Sequence, residues 1–185
     1  MPQDSLPPDS PLGHRGELEL RSELPSRYHW DERNLPLMMR PDLSAAFIRF
    51  IEAQPFFFIA TSDAEGHCDA SFRGRDYIAS GPLPALKVLD PKTVIFPDFP
   101  GNGLYNSLGN IRVNPHVGML FMDFERQRRV RVNGRASMRR PRHEERTLWP
   151  AAQALIEVQV EQAYGNCSAR IPRMRMIDES DAPFL

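Results

Sequence analysis

The stretch between residues 93 and 138 carries hydrogen-bond donors and arginines in a pattern suited to holding a phosphate group. Asn102, Asn106 and Ser107 are neutral donors beside a Gly-Asn-Gly turn. The free backbone N–H groups at the start of a helix attract anions, and guanidinium groups add charge-assisted hydrogen bonds. Two candidates for these charge-assisted hydrogen bonds, Arg129 and Arg131, follow on a later strand.

A loop that leads into a helix must position the side chains of Asn102, Asn106 and Ser107. Residues 94–96 form a short apolar strand, which Pro97 ends because proline cannot donate to a sheet ladder. After the glycines, apolar residues recur at helical spacing over 104–111, and an Asn-Pro pair closes the segment. The sequence therefore predicts a strand, a loop and a helix whose first turn lies beside the asparagines.

Two further strands are predicted at 117–124 and 129–138. The first is almost wholly apolar, which is typical of a strand covered on both faces. The second alternates, so that Arg129, Arg131 and Arg135 share one face while valines occupy the other. A solvated surface strand would explain this arginine face equally well. The neighbouring helix start favours the alternative that adjacent strands bring the arginines to one ligand.

An earlier hairpin presents a second row of polar side chains. Residues 55–61 form a buried strand, a turn with glycine follows, and the return strand alternates apolar with polar residues. Its polar set contains His67, Asp69, Ser71 and Arg73. We expect His67 and Asp69 to lie on a solvated strand edge, because ordinary surface positions carry such residues.

Composition limits the functional classes that are open to the chain. Its 185 residues, 41% of them hydrophobic, can bury one good core, and 23 basic against 24 acidic residues give a net charge of −1. That balance argues against nucleic acid or an anionic membrane as a partner. No run is long and apolar enough to span a bilayer, and the polar, proline-rich start is unlike a secretory signal. We expect a cytoplasmic protein.

The cysteines and histidines predict no metal site. Cys68 and Cys167 are too few and too isolated for a disulfide framework or a thiolate cluster. We expect free thiols, with Cys167 as a small buried residue, and a single bridge between the two is the alternative. The five histidines have no HExxH or CxxC-type spacing.

The remaining segments complete one domain. Residues 1–13 read as a disordered tail, and 14–40 as an arm on the body or on a partner subunit. An amphipathic helix begins with Asp42 as its N-cap. Residues 75–89 read as a surface loop.

The end of the chain adds one more strand. The basic cluster at 139–142 is predicted as a solvated turn, because two glutamates follow it and no aromatic residues interleave. Residues 155–161 alternate as the last strand. About six strands joined by hairpins, with few helices, predict a mainly β (α+β) domain over 14–185. A small antiparallel barrel suits this pattern, since closure removes exposed strand edges.

Four consecutive motifs resemble the flavin-binding split-barrel family of pyridoxamine 5'-phosphate oxidase, and within it the bacterial proteins described as related to that oxidase. They read FPDFPGNGLYNSLGNI, NPHVGMLF, DFER and RVRVNGRA in this chain. The resemblance covers about the last three quarters of the sequence. It implies a six-stranded antiparallel split β-barrel with a few flanking helices, and a homodimer with FMN in clefts at the subunit interface.

The resemblance also implies which residues bind the cofactor. Arg73, Asn102, Ser107 and one of two later arginines would converge on the ribityl phosphate of FMN. Arg129 would stand beside the flavin ring, where relatives carry glutamine, and its guanidinium would either favour the reduced flavin or bind the phosphate. The full set of expected FMN-binding residues is Ser71, Arg73, Asn102, Asn106, Ser107, Arg129 and Arg131.

The implied function is that of an FMN-dependent oxidoreductase acting on an unidentified small molecule. The Trp…Arg-x-His substrate signature of the true oxidase has no counterpart in residues 168–185. GRDYIASGPLPAL replaces a glycine-rich run of relatives, in a loop of the kind that sets specificity. We name no catalytic residue, because the cofactor carries the chemistry. The alternatives are a non-catalytic flavin-binding or sensing protein and a split-barrel protein that binds F420 or haem.

Overall fold

The computed structural model describes residues 10–177 and divides the chain into two compact units, Met1–Arg40 and Pro41–Leu185. The first unit contains helices α1 (Arg15–Glu23) and α2 (Leu35–Met38). Of the tail expected at 1–13, residues 1–9 lie outside the described part, and the next four form a tight turn. The single domain over 14–185 stays a prediction.

The second unit is built mainly from antiparallel strands. Its helices are α3 (Ala45–Glu52), α4 (Asn106–Val113) and α5 (His143–Leu148). Its strands are β1 (Phe56–Ser62), β2 (Cys68–Gly74), β3 (Tyr77–Ile78), β4 (Gly81–Pro82), β5 (Lys87–Asp90), β6 (Thr93–Asp98), β7 (His116–Asp123), β8 (Arg128–Arg139) and β9 (Ala154–Asn166). No helix in the described part of the chain is long and apolar enough to cross a membrane.

Seven of the described strands form one sheet in the order β2-β1-β7-β8-β9-β6-β5, where six were expected. All six pairings in it are antiparallel. In residues 10–177 no ladder joins the edge strands β2 and β5, so the predicted closure is not made by hydrogen bonds. The β8–β9 ladder shifts register between Asn133 and Gly134, where β9 has one extra residue, Glu161. A side chain at Gly134 would clash there with the Gln159 carbonyl oxygen.

Two apolar clusters pack against the sheet, the larger on its inner face and the smaller on the opposite face of β6 and β9. The larger includes Phe57, Phe96 and Phe121, each at most 1% exposed, under the apolar side of α3. The smaller surrounds Trp149, whose indole N–H donates to the Pro84 carbonyl at 2.7 Å. These clusters hold α4 and the ends of β2 and β6 in place around the site.

Helix α3 begins later than the sequence pattern predicts. Ser44 and not Asp42 is the N-cap, and its hydroxyl accepts a hydrogen bond from the Phe47 N–H at 3.2 Å. The Leu43 N–H donates to the Pro91 carbonyl at 2.8 Å, and this contact holds the preceding backbone outside the helix.

Pro97 does not end its strand, contrary to the prediction. It pairs with Leu155 in the β6–β9 ladder, and Asp98 continues the strand opposite Ala154. The ladder between β5 and β6 ends at Ile95, so Pro97 has a neighbouring strand on one side only. Proline is tolerated at such edge positions because no second ladder needs its N–H.

Two further predictions fail in part because of contacts distant in sequence. Residues 75–89 are not a surface loop throughout, because Leu83 packs beside Trp149 and Leu86 is 1% exposed. The basic cluster at 139–142 is solvated only in part, because Arg140 and Arg142 are exposed and Arg139 is half-buried. Arg139 closes β8 and pairs with Glu145 at 2.6 Å and Glu157 at 3.0 Å.

Candidate functional site

Strand β2 directs its polar side chains inward and its apolar side chains outward. Ser71 pairs with buried Ile59 and Arg73 with buried Phe57, so they share the inner face of the sheet. On the outer face, Phe72 pairs with Phe58 and is 60% exposed. The inner face of β2 is therefore polar and forms one wall of the site. This wall faces the start of α4.

The first turn of α4 meets this wall through a chain of hydroxyl groups. The Ser107 hydroxyl donates to Asp69 Oδ2 at 2.7 Å and lies 2.9 Å from the Ser71 hydroxyl. Because the single Ser107 proton is given to the carboxylate, Ser71 is the donor to Ser107. Asp69 therefore lies in the site and not on the solvated edge where we expected it.

A buried ion pair forms the second wall. Arg73 Nη1 donates to Asp98 Oδ1 at 2.7 Å, with side chains that are 18% and 6% exposed. Gln153 Nε2 donates to the other Asp98 oxygen at 2.8 Å. Arg73 Nε is buried and has no partner among the described residues. Buried donors without partners are rare, so this N–H marks a place where a ligand atom would be stabilised.

Together these walls enclose a cleft of about 330 Å³, within the usual range of small-molecule sites. The loop before α4 closes it, and Tyr105 there has a left-handed backbone with φ of 53°. Its carboxylates outnumber its guanidinium groups by two to one. The polar lining residues are Asp69, Ser71, Arg73, Asp98, Asn102, Asn106, Ser107 and Gln153.

Arg129 and Arg131 lie on the outer face of the sheet, away from the cleft. Arg131 pairs with Leu120 in β7, which itself pairs with outward-facing Phe58. Its guanidinium lies 5.8 Å from the Tyr164 ring centroid. Within one chain the two arginines therefore do not converge with the cleft residues on one phosphate, as the sequence-based expectation required.

Arg129 faces Asn166 across the β8–β9 ladder. Arg129 Nε and Asn166 Oδ1 are both buried and have no hydrogen-bond partner in the described part of the chain. A donor and an acceptor are thus left unsatisfied side by side on the outer face. Neighbouring aromatic side chains on this face include Phe56, whose ring centroid lies 5.2 Å from that of Phe72.

One group of possible metal ligands lies in the β1–β2 turn. The ligand atoms of Asp63, Glu65 and His67 lie within 4.8 Å of one another, at positions that are largely exposed. A hydrogen bond from His67 lowers the pKa of Asp63, so this carboxylate already has a partner. Cys68 and Cys167 are free and exposed, which corrects the expectation that Cys167 is buried.

The sequence profile of the pyridoxamine 5'-phosphate oxidase family matches residues 43–177, which is most of the chain. The chain belongs to the pyridoxamine 5'-phosphate oxidase family. The matched range contains every strand of the sheet, the cleft and the outer arginines. Family membership and the mainly β, antiparallel split-barrel fold are therefore confirmed.

Solved structures support the fold at low sequence identity. A variant of HupZ from Group A Streptococcus is 21% identical, covers 67% of this chain and 99% of its own, and superposes with a TM-score of 0.51. A proposed pyridoxamine 5'-phosphate oxidase from Lactobacillus delbrueckii is 16% identical and covers 69% and 98%, with a TM-score of 0.50. A comparison with curated protein sequences gives no match.

In this member of the oxidase family, the structure brings together five of the seven residues expected to bind the cofactor. Ser71, Arg73, Asn102, Asn106 and Ser107 line the cleft, and the two later arginines lie on the outer face. Besides Asp69, the sequence analysis missed three cleft residues and one outer residue. They are Asp98, Tyr105, Gln153 and Asn166.

Proposed function

We propose that the protein is a cytoplasmic, FMN-dependent oxidoreductase of the pyridoxamine 5'-phosphate oxidase family that acts on a small molecule. The observation that carries the proposal is the unsatisfied Arg73 Nε in a cleft at the start of α4, within the matched family region. A bound phosphate would provide the missing acceptor.

The cleft offers further donors to the ribityl phosphate. The side-chain amide of Asn106 and the backbone N–H groups in the first turn of α4 are suitable, because such helix starts bind phosphate. The Ser71 and Ser107 protons are committed to the hydrogen-bond chain that ends at Asp69. These serines therefore hold the Asp69 carboxylate in place and screen part of its negative charge from the phosphate.

The charge of the cleft supports a homodimer. Asp69 and Asp98 outnumber Arg73, so one chain alone is short of positive charge for a dianionic phosphate. Arg129 and Arg131 lie on an outer face that also exposes Phe58 and Phe72. A second copy that packs this face against the cleft would add the missing cations and cover the aromatic side chains.

The unsatisfied pair on that face suits a flavin ring. The imide edge of an isoalloxazine carries carbonyl acceptors beside an N–H donor, and Arg129 Nε with Asn166 Oδ1 offers the reverse pattern. In the proposed dimer these atoms bind the ring, and the guanidinium stabilises negative charge at its pyrimidine edge. Asn166 thereby joins the expected set of FMN-binding residues.

FMN supplies the hydride or electron transfer when bound, so the residues of this chain serve to bind and orient it. We do not propose oxidation of pyridoxamine phosphate, because residues 168–185 lack the substrate signature of the true oxidase. The substrate is a different small molecule.

The first experiment identifies the ligand. The purified full-length protein is denatured, and any released chromophore is analysed by its visible spectrum and mass. FMN supports the proposal, whereas a Soret band or the mass of F420 would contradict it. Turnover is then tested by reduction with NAD(P)H and reoxidation by candidate acceptors, and a flavin that never turns over would indicate a non-catalytic protein.

The second experiment tests the placement of the cofactor. We expect the double variant Ser107→Ala/Arg129→Ala to bind FMN roughly a hundredfold more weakly, because it loses one charged contact and exposes Asp69. The matched control is Ser137→Ala/Arg146→Ala, whose side chains are exposed and outside the cleft. Calorimetric titration gives both dissociation constants. Equal affinity in parent and test variant would show that FMN binds elsewhere.

A further inference from the structure

A second cavity adjoins the proposed cofactor cleft on the far side of α4. It has a volume of about 520 Å³ and mostly apolar walls. Helix α4 forms one wall, and the end of β8 with the start of β9 forms the other. Its lining residues include Leu108, Gly109, Met138 and Ala154.

The charge of this cavity is opposite to that of the cofactor cleft. Three arginines line it and no carboxylate does. Arg139 is already held by Glu145 and Glu157, at 2.6 and 3.0 Å. In the described part of the chain, the guanidinium groups of Arg112 and Arg140 make no hydrogen bond or ion pair, so they are available to a ligand.

The two cavities share a wall. Tyr105, Leu108 and Gln153 line both of them, and Gln153 also holds the buried Asp98. Tyr105 adopts a left-handed backbone conformation, which is uncommon for a residue with a bulky side chain. Such strained residues occur at binding sites, where the surrounding structure maintains them. A molecule bound in the second cavity therefore lies one side chain away from the cofactor cleft.

We propose that this second cavity binds the apolar body of a small organic acid, whose carboxylate is held by Arg112 and Arg140. We also infer that such an acid is the substrate class of the oxidoreductase, and this part of the inference rests on the proposed function. The binding site itself is independent of FMN, because its apolar walls and free guanidinium groups belong to one chain.

The test uses phenylbutyrate as the probe and uncharged phenylbutyramide as its matched analogue. Calorimetric titration of the full-length protein gives the dissociation constant of each. We expect phenylbutyrate to bind saturably and at least about threefold more tightly than the amide, as for exposed charge pairs. Absence of saturable phenylbutyrate binding overturns the proposal.

Gly109→Leu tests the location. A Cβ at Gly109 meets no atom within 4 Å, so the larger side chain projects into the cavity without a clash. Leucine is also the better helix former. We expect phenylbutyrate affinity to fall at least about tenfold, since the ligand volume is then occupied. Unchanged affinity in a variant with parental thermal stability places the ligand elsewhere and overturns the proposal.

Arg112→Gln/Arg140→Gln tests the charge. We expect phenylbutyrate binding to weaken by roughly three- to tenfold, while phenylbutyramide binding stays the same. Arg146→Gln removes an exposed arginine outside the cavity and should change neither constant. Equal loss for acid and amide would contradict a carboxylate contact.

FMN titrations of the same variants separate this inference from the proposed function. Gly109 does not line the cofactor cleft, so Gly109→Leu should bind FMN like the parent. If the parent binds phenylbutyrate but not FMN, the cavity is an acid site and the proposed oxidoreductase function fails. If it binds FMN but not phenylbutyrate, only the substrate inference fails.

Discussion

At the scale of single residues, Asp98 connects the stability of the protein with its candidate site. Its side chain is 6% exposed, and it accepts hydrogen bonds from Arg73 and Gln153. A buried ion pair contributes little compared with apolar residues of similar size, but removing one partner leaves the other charge without compensation. Asp98 thus compensates the buried charge of the Arg73 guanidinium, which desolvation would otherwise make unfavourable at this position.

We expect Asp98→Ala to lower the free energy of unfolding by about 3 kcal/mol, because Arg73 stays buried without its counter-ion. Urea denaturation measures the change. Arg126→Ala, which breaks an ion pair whose arginine is 74% exposed, should cost less than about 1 kcal/mol. Equal costs for the two variants would mean that the Arg73–Asp98 pair is not desolvated.

The sequence predicted the donors of this site better than its carboxylates. Ser107 lies in one of the four motifs, and Ser71 and Arg73 lie in the region that the resemblance covers, so the resemblance identified them. Asp98 stands between two prolines in FPDFP, which reads locally as a loop. Its burial depends on pairing with Ala154, more than fifty residues later, and local patterns do not report such contacts. A charged residue that follows an apolar run was the available signal.

At the scale of secondary-structure elements, one arginine connects three of them. Arg139 at the end of β8 pairs with Glu145 in α5 and Glu157 in β9. Hydrogen bonding from Arg139 lowers the pKa of Glu145 to about 2. The interaction therefore fixes α5, a helix of only six residues, against the sheet.

This ion pair predicts a defined pH dependence. The folded pKa of Glu145 lies below its ordinary value of 4.5, so its stabilising effect is complete above that pH and disappears as the pH falls towards 2. We expect Glu145→Gln to be less stable than the parent near neutral pH, with a difference that shrinks across this acidic window. Thermal unfolding measures it. The exposed neighbour Glu144→Gln should show no such difference, and a parallel loss would contradict the assignment.

The sequence predicted which segments form strands, but it did not predict which face of each strand is covered. Alternation correctly predicted strands β8 and β9, and the valines of β8 do face the core. In β2 the alternation was also right, but the apolar set faces outward, because Phe72 packs with Phe56 and Phe58 on the outer face. Periodicity predicts two faces and does not state which one is covered.

At the scale of the whole molecule, the outer face of the sheet has the character of an interface. Phe58 and Phe72 are 37% and 60% exposed, and Leu120 lies between them and Arg131 in the same row. Exposed aromatic side chains beside arginine are typical of protein–protein contacts. The proposed dimer would bury this row and provide Arg129 to the cleft of its partner.

We expect Phe72→Glu to shift the protein from dimer to monomer and to abolish FMN binding at concentrations that saturate the parent. The reason is that a carboxylate would be buried in the interface without a partner. Sedimentation equilibrium reports the mass. Leu89→Glu, at a position 51% exposed on β5, is the matched control and should remain dimeric. A Phe72→Glu protein that stays dimeric would exclude this face as the interface.

The strand order also determines when the protein can fold during its synthesis. The β1–β2 and β5–β6 hairpins emerge from the ribosome first, but their outer partners in the sheet are β7 and β9. Strand β6 has no partner on its β9 side until residues 154–159 have been made. In the nascent chain the apolar faces of these two hairpins therefore stay uncovered until the later strands are made. The C-terminal third of the chain completes the core.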